Sequence, residues 1–84
     1  MMQFFLEIWN ERPRYSAVSG EYLGPTPLNW MFDHLLEKSK YPHLRLEKDN
    51  IALVTFEEHE AKTNGRPLPK HQELIDNAKK RFNL

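Results

Sequence analysis

Eighty-four residues with 12 Lys/Arg, 12 Asp/Glu and no cysteine describe one small domain whose limited core leaves it marginally stable unless reinforced. The missing thiols exclude disulfides and thiolate zinc sites, so no structural zinc is expected. A net charge of zero weighs against nucleic-acid binding, which favours a basic balance.

That balance conceals a polarised chain. Residues 62–84 carry six basic side chains against two acidic ones, +4, which leaves −4 on residues 1–61. Met1–Leu6 is too short an apolar run for a signal peptide, and Glu7 interrupts it. Nothing approaches the apolar length that spans a membrane. The expectation is a soluble cytoplasmic protein, in the host cytoplasm if phage-encoded, with no membrane partner.

The chain shows no repeats, low-complexity tracts or long linkers, and residues 1–84 are read as a single domain. Gln3–Asn10 gathers Phe4, Phe5, Leu6, Ile8 and Trp9, which predicts a short amphipathic helix ending before Pro13, since proline forces Arg12 out of helical geometry. Ser19–Pro25 is turn-rich, with two glycines and a proline. Trp30–Leu35 is aromatic and apolar and predicts a strand. Glu37–Asp49 is polar with Pro42 in its middle, a loop. Ile51–Val54 is rich in β-branched residues and predicts a second strand. Thr55-Phe56-Glu57-Glu58 matches a capping box, so a helix begins there and stops near Asn64-Gly65. A last helix starts around Pro69, with His71, Leu74, Ile75, Ala78 and Phe82 at helical spacing.

Asp33-His34, then Asn50, then His59 fall on that strand–loop–strand–helix framework in an order that suits phosphodiester chemistry. An imidazole can take a proton, a carboxylate and a second imidazole can hold a cation, and an amide can fix the loop between them. The bland readings are ordinary ones: Asp-His is a common dipeptide, and Asp49-Asn50 is everyday turn chemistry. His43 reads as a surface or phosphate-contacting residue, His71 as a satisfied buried histidine, and Trp9 and Trp30 as core. Lys79-Lys80-Arg81 reads first as a solvated helix end that complements the helix dipole.

Taken together, Phe32-Asp33-His34-Leu35-Leu36-Glu37-Lys38-Ser39, Asp49-Asn50-Ile51-Ala52-Leu53-Val54 and Glu57-Glu58-His59 resemble the HNH endonuclease family and its ββα-metal fold. The loop Lys38–Arg45 is similar to that of phage-encoded members. The resemblance implies an α+β fold with a ββα-metal core over residues 30–64 and the N- and C-terminal helices packed on it. It also implies a DNA endonuclease, a phosphodiester hydrolase leaving 5′-phosphate and 3′-hydroxyl ends.

By that resemblance the catalytic pair is His34, the general base that deprotonates the attacking water, and Asn50, which ties the loop and helps orient the base. Asp33 and His59 match the metal ligands. The implied cofactor is one divalent ion, Mg²⁺ or Mn²⁺ first, with Zn²⁺ or Ni²⁺ as alternatives. Lys38, Lys40 and Arg45, on the loop joining the two strands, are the expected DNA-backbone contacts. DNA is the implied partner, with a homodimer or a larger phage protein as further candidates.

Two departures from the family pattern stand out. Ser16, Ser19, Thr55 and Glu58 occupy the neighbourhoods where many relatives carry four zinc-binding cysteines. One turn beyond His59, the chain offers only Thr63 or Asn64 as a further ligand, so two side chains hold the metal with water and phosphate completing its shell. The alternative is a catalytically inactive module of the same fold that binds nucleic acid or protein. A third reading is a small interaction protein whose histidines are structural.

Overall fold

Two short antiparallel strands form the centre, β1 (Phe32–His34) and β2 (Ile51–Leu53), in register Phe32↔Leu53, Asp33↔Ala52 and His34↔Ile51. The computed structural model describes residues 2–84. Around the strands lie three helices: α1 (Gln3–Glu11), α2 (Phe56–Thr63) and α3 (Pro69–Arg81). The class is α+β, with the order α1-β1-β2-α2-α3. No helix among the described residues is long and apolar enough to cross a membrane.

Residues 51–54 alternate between two apolar clusters, as successive strand side chains must. Ile51 and Leu53 join Phe32, Ile8 and Trp9 in the first cluster. Ala52 and Val54 join Leu35, Leu36, Leu44, Ile75 and Ala78 in the second. The small sheet thus has α1 on one face and α3 on the other. Fully burying a side chain of the Ile or Val type contributes roughly 1.5–3 kcal/mol, and neither Ile8 nor Val54 is exposed at all.

Helix α1 presents Phe5, Ile8 and Trp9 to the first cluster, and Phe5 stacks on Phe32 with ring centroids 4.5 Å apart. It ends where expected: Arg12 is extended ahead of Pro13. The Arg12 guanidinium then crosses to the sheet, donating to the carbonyls of Ile51 at 2.5 Å and Lys48 at 2.6 Å. This ties the end of α1 to the start of β2.

The segment predicted as a strand over Trp30–Leu35 is only half that. Asn29–Met31 form a 3-10 turn, and the strand is confined to Phe32–His34. The turn buries Met31 and sets Trp30 edge-on to Phe56 of α2, centroids 5.7 Å apart. Tertiary packing, not strand propensity, shapes those residues. The polar loop is also more ordered than its composition suggests, with 3-10 turns at Pro42–Leu44 and Lys48–Asn50.

Helix α2 opens on a complete capping box. The Thr55 hydroxyl accepts from the Glu58 N–H at 3.2 Å, and the Thr55 N–H donates to the Glu58 carboxylate at 2.8 Å. It closes on Asn64, followed by Gly65 at φ 76°, a left-handed position that favours glycine. Pro69 occupies the first turn of α3.

The loop before β1 folds back on this capping box. Tyr15 bridges Tyr22, the Ser16 N–H donates to Glu21 O at 2.8 Å, and Ala17 N–H donates to Leu53 O at 2.8 Å. Ser16 Oγ donates to Glu58 Oε1 at 2.6 Å and accepts from the N–H groups of Val18 and Ser19. Ser16, Ser19, Thr55 and Glu58 are therefore gathered into one hydrogen-bonded knot joining the loop to α2.

Burial opposes ionisation of Glu58, but the hydrogen bonds from Ser16 and Thr55 outweigh it and hold the carboxyl below its ordinary value. The stabilisation is therefore present above the unfolded value of 4.5 and lost as pH falls through the lower folded value. Glu58→Gln is expected to cost about 1–3 kcal/mol at neutral pH and to flatten the acid loss of stability. Urea midpoints of both proteins at neutral and acid pH check this.

Candidate active site

Successive positions of β1 send Asp33 and His34 in different directions. Asp33 lies on the face opposite Phe32, where α2 and α3 close over it, and it is only 3% exposed. His34 sits at the strand end on the α1 side, its ring centroid 6.1 Å from that of Phe5. Both line an open cleft of about 1020 Å³, together with Glu37, Lys38, His59 and Lys62.

The His34 ring is pinned by one contact: Nε2 lies 3.0 Å from the carbonyl oxygen of Arg45. A carbonyl only accepts, so Nε2 carries the hydrogen in this contact and Nδ1 is left with the lone pair. A neutral imidazole fixed in that tautomer can accept a proton at Nδ1.

The loop that carries the Arg45 carbonyl is tied by Asn50 at the neighbouring Leu44 and at Leu36. Asn50 is fully buried, and its Oδ1 accepts from the Leu36 N–H at 2.8 Å. Its Nδ2 donates to the carbonyls of Leu36 at 3.1 Å and Leu44 at 3.2 Å. One amide thus closes the whole 36–50 loop that presents Arg45 O. Fully buried and with its amide spent on loop backbone, Asn50 is a positioning residue rather than a substrate contact.

Asp33 is held from three sides. His71 Nε2 of α3 donates to Oδ2 at 2.7 Å. Lys62 Nζ of α2 donates to Oδ1 at 3.0 Å and also to the carbonyl oxygen of His34. His59 Nδ1 lies 3.8 Å from the same Oδ1 and is buried with no hydrogen-bond partner.

That orphaned nitrogen bears on metal binding. Two donors, each about 2.1 Å from a shared ion, can lie as far apart as Asp33 Oδ1 and His59 Nδ1 do. The pair therefore fits a divalent cation, although no group of three or more His, Cys, Asp or Glu forms a metal shell among the described residues. Thr63 also lines the cleft and donates its hydroxyl hydrogen to the His59 carbonyl at 3.0 Å, which leaves only a weak neutral oxygen donor there. Asn64 serves as the C-cap of α2.

The expected DNA-contacting residues divide. Lys38 lines the main cleft. Lys40 lines a smaller neighbouring cavity of about 220 Å³ with Lys79, and the two cavities share Glu37 and Lys62. The Arg45 side chain is exposed, and it is the backbone of this residue that reaches the site. At the end of α3, Arg81 is paired with Asp49 at 2.8 Å.

Comparison with protein-family models, with curated proteins and with solved structures gives no match to this chain. The site's reading therefore rests on its own geometry. Sequence reasoning placed Asp33, His34, Asn50 and His59 but passed over Lys62 and assigned His71 only to the interior. A signal for Lys62 was available, because it follows His59 by three residues on a helix and so shares its face. His71 had none, since only the docking of α3 brings its imidazole to Asp33.

Proposed function

We propose that this protein is a metal-dependent DNA endonuclease that hydrolyses phosphodiester bonds. The observation that carries the reading is the His34–Arg45 carbonyl contact, which leaves Nδ1 of an oriented imidazole as a base at the cleft. His34 takes the proton of the attacking water, a contribution typically worth ~10²–10⁴-fold in rate. Asp33 and His59 would hold a divalent ion, which would supply charge stabilisation for the scissile phosphate and the leaving 3′ oxygen. His71 keeps the Asp33 carboxylate in one orientation by occupying its other oxygen. Lys38 brings positive charge to the cleft for the DNA backbone, and the basic C-terminal segment adds a wider field.

So small a domain has little surface for reading bases, and weak sequence preference is part of the proposal. The test is nicking of supercoiled plasmid. Wild type is expected to nick in Mg²⁺ or Mn²⁺ and to stop when chelator is added. Salt-dependent DNA binding with no cleavage in any divalent ion would instead select the inactive, binding-only module.

A further inference from the structure

We infer that Lys62 is a resident counter-cation that competes with the divalent ion for Asp33 and thereby sets the metal affinity of the site. The inference rests on the reading of Asp33 and His59 as metal donors. Of the two carboxylate oxygens, Oδ2 is committed to His71 at 2.7 Å. Only Oδ1 remains for a cation, it is the oxygen nearest His59 Nδ1, and the Lys62 ammonium already holds it at 3.0 Å.

The ammonium is built in rather than draped on the surface. The Lys62 side chain is 15% exposed, and its second bond goes to the carbonyl of His34, the neighbouring residue of β1. Helical spacing fixes it one turn from His59, so α2 carries a metal donor and its competitor on one face. A protonated amine cannot itself act as a ligand, and its positive charge repels an incoming dication at close range.

Without metal, Lys62 neutralises a carboxylate that would otherwise be buried and charged, which is costly. Metal entry requires the ammonium to leave Oδ1. Glu37, which lines both cavities alongside Lys62, offers it another carboxylate. A phosphate in the cleft would attract the displaced ammonium as well, so metal and substrate anion load together and each alone loads poorly.

The experiment is Mn²⁺ binding to the full chain, followed by electron paramagnetic resonance and calorimetry, for wild type, Lys62→Met, Lys62→Gln and Lys62→Arg. The glutamine variant keeps hydrogen-bonding capacity without charge and covers the case in which Lys62→Met does not fold. Removing the charge is expected to tighten Mn²⁺ binding by roughly tenfold or more, while Lys62→Arg stays near wild type. Equal, weaker or absent Mn²⁺ binding in a folded charge-removed variant would overturn the inference. Tighter Mn²⁺ binding without nicking by any form would uphold it while the endonuclease reading fails. Nicking with unchanged affinity would do the reverse.

Discussion

His34→Ala is expected to reduce plasmid nicking by ~10²–10⁴-fold, the usual contribution of a positioned general base, while leaving the fold intact. The side chain is only partly buried, and its one hydrogen bond is to a carbonyl at the protein's edge. Its removal leaves Arg45 O to water, so the stability cost is small. Circular dichroism and urea midpoints close to wild type, together with lost nicking, are the expected pair of results. Equal cleavage by both proteins would mean that His34 is not the base or that the cleavage comes from elsewhere. Mn²⁺ affinity should be unchanged in the variant, because the metal donors are Asp33 and His59.

Asn50→Ala is expected to damage both stability and activity. The change strips three hydrogen bonds from a fully buried position, leaving the Leu36 N–H and the Leu36 carbonyl unpaired, while the Leu44 carbonyl keeps only its bond from the Glu47 N–H. With each buried orphan group costing ~1–3 kcal/mol, the loss is on the order of several kcal/mol. That is a large share of the 5–15 kcal/mol a domain typically has. Whatever remains folded carries a looser 36–50 loop, so Arg45 O no longer fixes the tautomer of His34. Urea midpoints measure the first effect. Nicking at a temperature where the variant is still folded measures the second.

Much of the framework was legible because it is written in local chemistry. The Thr55–Glu58 box, the glycine at residue 65, Pro69 at a helix start and Pro13 beyond α1 each act within one turn of the chain, and each stands where its neighbours dictate. The apolar, β-branched run of residues 51–54 marked β2 for the same reason. What escaped was decided at a distance. Trp30 and Met31 look like strand from composition, yet the packing of Trp30 on Phe56 holds them in a turn with Asn29.

The site follows the same division. Asp33, His34, Asn50 and His59 stand out as residue types in sequence, and the fold brings Asp33 and His59 together. A lysine on a polar helix ordinarily faces water, so the spacing from His59 puts Lys62 on the site's face without marking it as a partner of Asp33. His71 belongs to the apolar stripe of α3, and its bond to a carboxylate 38 residues away exists only in three dimensions.

The clamp on Asp33 also has a bearing on when the protein becomes competent. One jaw belongs to α2 and the other to the last helix, which also covers the second apolar cluster with Ile75 and Ala78. A nascent chain can pair its strands and wind α2 while still on the ribosome. It cannot set that carboxylate until Pro69–Arg81 have emerged and docked. Organisation of the acidic centre therefore waits on α3, and a polypeptide lacking that helix has the strands but no settled carboxylate between them.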